Sequence, residues 1–282
     1  MTLEFDSTQP LLVFGGPYSN LSATRAMRAE AERLGIPARQ ILCTGDVVAY
    51  AAEPEETARL IREWGIQVIA GNCEQQLAEA APDCGCGFEE GSECDLLSRG
   101  WYPYALAQTS DMSRHWMATL PTSLSFRYCG LRCHMLHGGT EHTNRFIFAS
   151  DDDAIQEELA SLDADIVLAG HSGLPFVSRV DGRTWLNAGV IGIPANDGTP
   201  DVWYALLEPD GETLHLSLRR LAYDHIAAAA AMRRSGHANG YARAIITGIW
   251  PSHDVLPPAE REKTGKRLRQ TKVSLQIQPV TT

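Results

Sequence analysis

The chain has 282 residues, 44% of them apolar and 21% charged, and carries a formal charge of −11. That balance fits a folded globule with a sizeable core and excludes collagen-like or disordered chains; the acidity argues against a general nucleic-acid binder, which needs clustered Lys and Arg. Apolar runs such as Leu11 to Phe14 and Ile166 to Gly170 fall far short of the ~20 residues of a membrane span.

In chain order, Leu11 to Phe14 reads as a short buried strand, followed by the loop GGPYSN and a helix over Ser22 to Leu34 that stops at Gly35. Gln40 to Cys43 is a second strand, ending at Thr44-Gly45-Asp46. Glu55 to Trp64 is a helix with Pro54 near its start and Gly65 at its end. Gln67 to Ala70 is a third strand, ending at Gly71-Asn72-Cys73-Glu74. This alternation predicts an α/β sandwich with right-handed crossovers. From Gln75 to about Pro121 the regularity fails, apart from a helix over Asp111 to Leu120, and the stretch reads as a Cys-rich cap inserted over the strand ends.

Strands resume at Leu124 to Tyr128 and Cys133 to Leu136, the latter ending at His137-Gly138-Gly139. After a helix over Asp151 to Ser161, the strand Ile166 to Ala169 ends at Gly170-His171-Ser172-Gly173. Phe176 to Val180, Thr184 to Asn187, Val202 to Glu208 and Thr213 to Arg220 are further strands, and Asp224 to Arg234 is an Ala-rich helix. The domain is expected to span 1–257, with the cap at 75–121. Residues 258–282 are expected to form a flexible basic tail: from Glu260 on, six basic residues stand against two acidic ones, which leaves −15 on the rest. The acidic N-terminus has no basic leader pattern, which points to the cytoplasm.

Asp46, Asn72, His137 and His171 each follow a short apolar strand and each adjoin a glycine. Strand ends in an open α/β sheet converge on one crevice, and a carboxylate, an amide oxygen and two imidazoles suit Zn, Mn or Fe better than Ca. Taken singly, such residues are ordinary turn formers; four in this order point to a shared site.

The motifs TGDVVAY, VIAGNCE, MLHGG and VLAGHSG, in this order, resemble those of the calcineurin-like metallophosphoesterase superfamily, in the branch of small bacterial phosphodiesterases, which also shows a segment like LNAGVIGIP. The similarity runs from about Leu11 to Ala230. It implies a four-layer α/β/β/α sandwich in which two metal ions are bridged by an Asp and a hydroxide that attacks phosphorus, assisted by a His. By that resemblance Asp46 is the bridging carboxylate, and Asn72, His137 and His171 are the other ligands of the second ion. Three ligands of the first ion are replaced by Gly16, Tyr18 and Gly173, and the assisting His by Cys73. Where relatives have Asn-Pro-Gly-Ser, this chain has Asn187-Ala188-Gly189-Val190.

One divalent transition metal per chain is therefore expected, with a small phosphorylated molecule as partner and neither nucleic acid nor membrane. Catalytic roles fall to Asp46 and Cys73, and substrate contacts to Tyr18, His142 and Asn187. The odd count of seven cysteines argues against a disulfide framework. Cys73, Cys84, Cys86 and Cys94 have three readings: small buried hydrophobes, an additional metal or thiol site, or, for Cys73, a nucleophile whose pKa a nearby cation lowers. Two functions follow: a metal-dependent phosphoester hydrolase, or a non-hydrolytic module that holds a metal, metalloid or ligand through its cysteines. A thiol-based enzyme on the same scaffold is a third.

Overall fold

The computed structural model describes residues 3–237 and 239–277. Twelve strands among them form two six-stranded sheets. They are β1 (Leu3–Glu4), β2 (Leu11–Phe14), β3 (Ile41–Cys43), β4 (Gln67–Val68), β5 (Ser123–Tyr128), β6 (Leu131–Leu136), β7 (Ile166–Ala169), β8 (Pro175–Val180), β9 (Arg183–Ala188), β10 (Val202–Asp210), β11 (Thr213–Leu221) and β12 (Thr271–Gln276). The helices are α1 (Leu21–Arg33), α2 (Pro54–Trp64), α3 (Asn72–Glu79), α4 (Glu93–Gln108), α5 (Asp111–Ala118), α6 (Asp152–Ser161), α7 (His225–Ser235), α8 (Asn239–Thr247) and α9 (Pro258–Arg261).

One sheet has the order β1-β5-β6-β7-β9-β8 and the other β12-β11-β10-β2-β3-β4. β2, β3 and β4 run parallel, as do β6, β7 and β9. Successive strand residues point to opposite faces, so an unbroken apolar run serves two cores at once. Leu11 and Val13 of β2 pack in the layer between the sheets with Phe126, Met135, Ile166 and Leu168. Leu12 and Phe14 face the other way, onto Met27 of α1, Ile61 of α2 and Trp101 of α4. On the far side, Val167 and Ala169 of β7 pack on Ile155 and Leu159 of α6. The result is the expected α/β/β/α order of layers. No helix of the described residues is long and apolar enough to cross a membrane.

Three expectations are corrected. Residues 75–121 do not form a separate cap: α4 and α5 bury Trp101, Tyr102, Ala105 and Met117 in the same cluster as β2 and β3, extending the helical layer. Pro103 sits inside α4, and the Gly- and Cys-rich approach to that helix hides its start. The basic segment is not a loose tail either, because β12 pairs antiparallel with β11 from Thr271↔Leu218 to Thr213↔Gln276 and buries Leu275. Its last residues, 278–282, lie outside the described ones. Finally, Cys84 and Cys86 are joined by a disulfide. Gly85, with φ +62°, turns the chain between them and brings their Cα atoms to 5.4 Å, within bridging range.

Candidate metal centre

The two sheets contribute equally to the site. Asp46 follows β3 and Asn72 follows β4 in one sheet; His137 follows β6 and His171 follows β7 in the other. Asp46 and His171 both have positive φ, +56° and +57°, which folds each side chain back across the end of its own strand. All four residues are buried.

Ligand atoms of Asp46, His137 and His171 lie within 4.8 Å of one another, and among the described residues this is the group of acidic, His or Cys side chains able to hold a metal ion. His137 Nε2 is 3.1 Å from Asp46 Oδ2, and His171 Nδ1 is 3.2 Å from His137 Nε2. His137 Nδ1 donates to the Thr44 carbonyl at 2.5 Å, which assigns its proton and turns Nε2 toward the carboxylate. Gly71 permits the approach: a Cβ there would strike Asp46 Oδ1 and lie 2.8 Å from His137 Cε1.

Charge organises the group. Burial works to lower the pKa of His137, but the charge and hydrogen bond of Asp46 prevail and hold it above its ordinary value. Burial works to raise that of Asp46, and His137 in turn holds it below. His171 is pushed down to about 3 by burial and by the charge of His137, so it is neutral at physiological pH. Asn72 Nδ2 donates to the Cys84 carbonyl at 2.9 Å and to Cys86 Sγ at 3.3 Å, whereas its Oδ1 is buried without a partner. His171 Nε2 is likewise buried without a hydrogen bond. A carboxylate, two imidazoles and a free amide oxygen match the donor set of a borderline divalent cation.

Glu74 was not singled out from the sequence. Fully buried, it accepts from the backbone N–H of Asp46 (2.7 Å), Gly71 (2.9 Å), Val47 (2.8 Å) and Val48 (3.3 Å). Its bond to Gly71, three residues earlier, is half of a capping box, and that spacing was the available signal. Burial and the charge of Asp46 push its pKa up to about 7.

The place of the first ion's ligands is filled by rings. Tyr18 is buried, edge-on to Tyr50 at 4.7 Å, and burial with the Asp46 charge pushes its hydroxyl pKa up. A Cβ on Gly173 would meet Trp250 Cζ2 and Cη2 at 3.2 Å. Tyr18, Phe146, Tyr241, Trp250 and His171 border a cavity of ≈ 50 Å³ whose lining has no carboxylate.

The cysteines separate. Cys73, buried at the start of α3, donates its N–H to Asp46 Oδ1 at 3.3 Å, and its Sγ lies 3.6 Å from Asn72 Nδ2. Burial and then the charges of Asp46 and Glu74 push its pKa well up. Cys84 and Cys86 flank the same amide. Cys94 lies apart, bordering the ring-lined cavity beside Ser252. Of the other candidates, His142 is exposed, and its carbonyl accepts from Gly139 and Arg145. Asn187 is buried with both amide ends engaged, donating to the Gly170 carbonyl at 2.7 Å and accepting from Gly189 N at 3.0 Å.

Comparison with known proteins bears on the fold and the family. An uncharacterized protein of Methanocaldococcus jannaschii is 24% identical over 187 residues, which are 64% of this chain and 69% of that protein. The crystal structure of a metallophosphoesterase from Sphaerobacter thermophilus shares the fold with a TM-score of 0.67 and 21% identity, covering 86% of this chain and 100% of that one. That of a hypothetical protein from Pyrococcus horikoshii OT3 has a TM-score of 0.73 and 16% identity, covering 86% and 99%. Residues 19–212, well over half of the chain, match the calcineurin-like phosphoesterase superfamily domain, and the chain belongs to that superfamily.

Proposed function

We propose that the chain hydrolyses a small phosphoester with a single divalent ion, Zn, Mn or Fe, held by Asp46, Asn72, His137 and His171. The observation that carries this reading is the buried trio Asp46, His137 and His171, together with an Asn72 Oδ1 that is buried and unpartnered at the end of β4. When bound, such an ion supplies Lewis acidity and lowers the pKa of water. Asp46 and the neutral His171 offer their lone pairs without first losing a proton, whereas His137 gives one up. Thr44 fixes the tautomer of His137. Cys73 stands where the family's assisting His stands, beside Asn72 and with its N–H on Asp46 Oδ1, so its thiol is placed to donate a hydrogen bond toward a leaving oxygen.

The test is turnover of bis(p-nitrophenyl) phosphate by protein loaded with each metal, alongside elemental analysis. His171→Ala is expected to lose the bound ion and at least ~100-fold in kcat/KM, while melting like metal-free wild type. Full turnover by that variant would sink the proposal. The filling of the first ion's corner by Tyr18 and Trp250 favours one second reading, a non-hydrolytic binding module. Wild-type protein that holds its ion yet turns over no ester would support that reading instead.

A further inference from the structure

A second, larger cavity of ≈ 330 Å³ shares no lining residue with the metal-ligand group. Both sheets build its floor: Leu174 leads into β8 and Val177 lies on it, Trp203 comes from β10 and Leu218 from β11, all in the layer between the sheets. The segment from Lys263 to Thr271, between α9 and β12, forms its remaining wall. The volume lies within the ~300–1,000 Å³ of small-molecule pockets, which pair apolar walls with a few placed polar groups.

The charges at its rim are unevenly matched. Lys263 is bonded to Glu260 at 2.9 Å, and Arg220 is paired with Asp197 and Asp201. Lys266 and Arg269 border the cavity, are exposed, and form no ion pair among the described residues. They belong to the segment that gathers six basic residues in a chain of net charge −11. Trp203 lends the floor its ring, over which the Arg220 guanidinium sits 4.6 Å from the centroid. Two free cations over an apolar floor call for a ligand that is anionic at one end only. A nucleic acid offers charge along its length and no apolar body to fill the space between the sheets.

We propose that this cavity binds an anionic amphiphile, its apolar body against Leu174, Val177 and Trp203 and its head on Lys266 and Arg269. The class spans fatty carboxylates and alkyl phosphates, which share this chemistry and separate by probe. The site is independent of the metal-ligand group and of any hydrolysis there.

The experiment is calorimetric titration of the full chain with decanoate, decyl phosphate and decanol, each below its micelle-forming concentration. One-to-one saturable binding of at least one anion is expected, with decanol about tenfold weaker or more. The double variant Lys266→Glu/Arg269→Glu changes only exposed side chains, and it is expected to weaken the anion by about tenfold or more while leaving metal content unchanged. Val177→Trp, which fills the cavity from β8, is expected to abolish binding. If neither anion binds saturably, if decanol binds as tightly as decanoate, or if the double variant binds like wild type, the proposal is overturned. Displacement of bound decanoate by an oligonucleotide would overturn it as well, making the rim a polyanion site.

Discussion

Glu74 ties the turn that carries Asp46 to the one before Asn72, although it is not among the candidate ligands. Its two oxygens accept from four backbone N–H groups, three in the turn that carries Asp46 and one at Gly71 before Asn72. Buried donors left unpaired cost about 1–3 kcal/mol each. Glu74→Gln keeps size and burial but turns an NH₂ toward two N–H donors. The expected loss is about 3 kcal/mol in urea unfolding, with weakened metal uptake, because Asp46 holds its positive φ only while this turn is pinned. Unchanged stability in the variant would show that the turn holds itself. The four ligand candidates were legible because each follows an apolar strand and adjoins a glycine. Glu74 was not, since a carboxylate three residues into a helix usually caps its own helix, and nothing local says that it also reaches a loop 27 residues earlier.

At the scale of elements, the helices after β4 decide whether the chain has one core or two. Trp101 of α4 is fully buried in the cluster that also holds Phe14, Ile41 and Met27. Trp101→Ala is therefore expected to cost about 3–5 kcal/mol and to lower the single unfolding transition as a whole. A separate early transition, with the main one unmoved, would mean that residues 75–121 unfold apart from the core. The strands β2, β3 and β7 were legible as continuous apolar runs because both of their faces are covered. α4 escaped notice because it is amphipathic only weakly, with aromatic residues crowded at 101–104 around Pro103. β12 escaped because an edge strand alternates: only Leu275 of Thr271–Gln276 is buried, and the residues between are polar, which in a basic segment looks like a solvated tail. The cysteine pairing was equally hidden, since two residues two apart reveal nothing of the turn at Gly85 that brings them together.

For the whole molecule, an ion in the candidate metal centre would be a cross-link. Asp46 and Asn72 belong to one sheet and His137 and His171 to the other, so an ion bound by all four ties the two halves of the sandwich at their strand ends. Ligand that binds only the folded state stabilises it by about 2.7 kcal/mol at 100 times its dissociation constant. Protons compete for the same lone pairs, and the two histidines differ in how they do so. His171, held down to about 3 by burial and by its neighbour's charge, is already neutral and releases nothing on metal binding near neutral pH. His137, held above the ordinary imidazole value by Asp46, carries a proton on Nε2 that the ion must displace. The Asp46–His137 pair itself stabilises the fold between the two groups' titrations. That support is lost at low pH, as Asp46 protonates through its depressed pKa, and at high pH, as His137 deprotonates through its raised one. Metal affinity is thus expected to rise by about tenfold per pH unit while His137 is protonated and to level off once it is not. Titrations at pH 6 in buffers of different ionisation enthalpy should register about one proton released per ion, falling toward zero at higher pH. Release of two protons at pH 6 would mean that His171 also carries charge in the folded chain, and release of none would remove His137 from the ligand set.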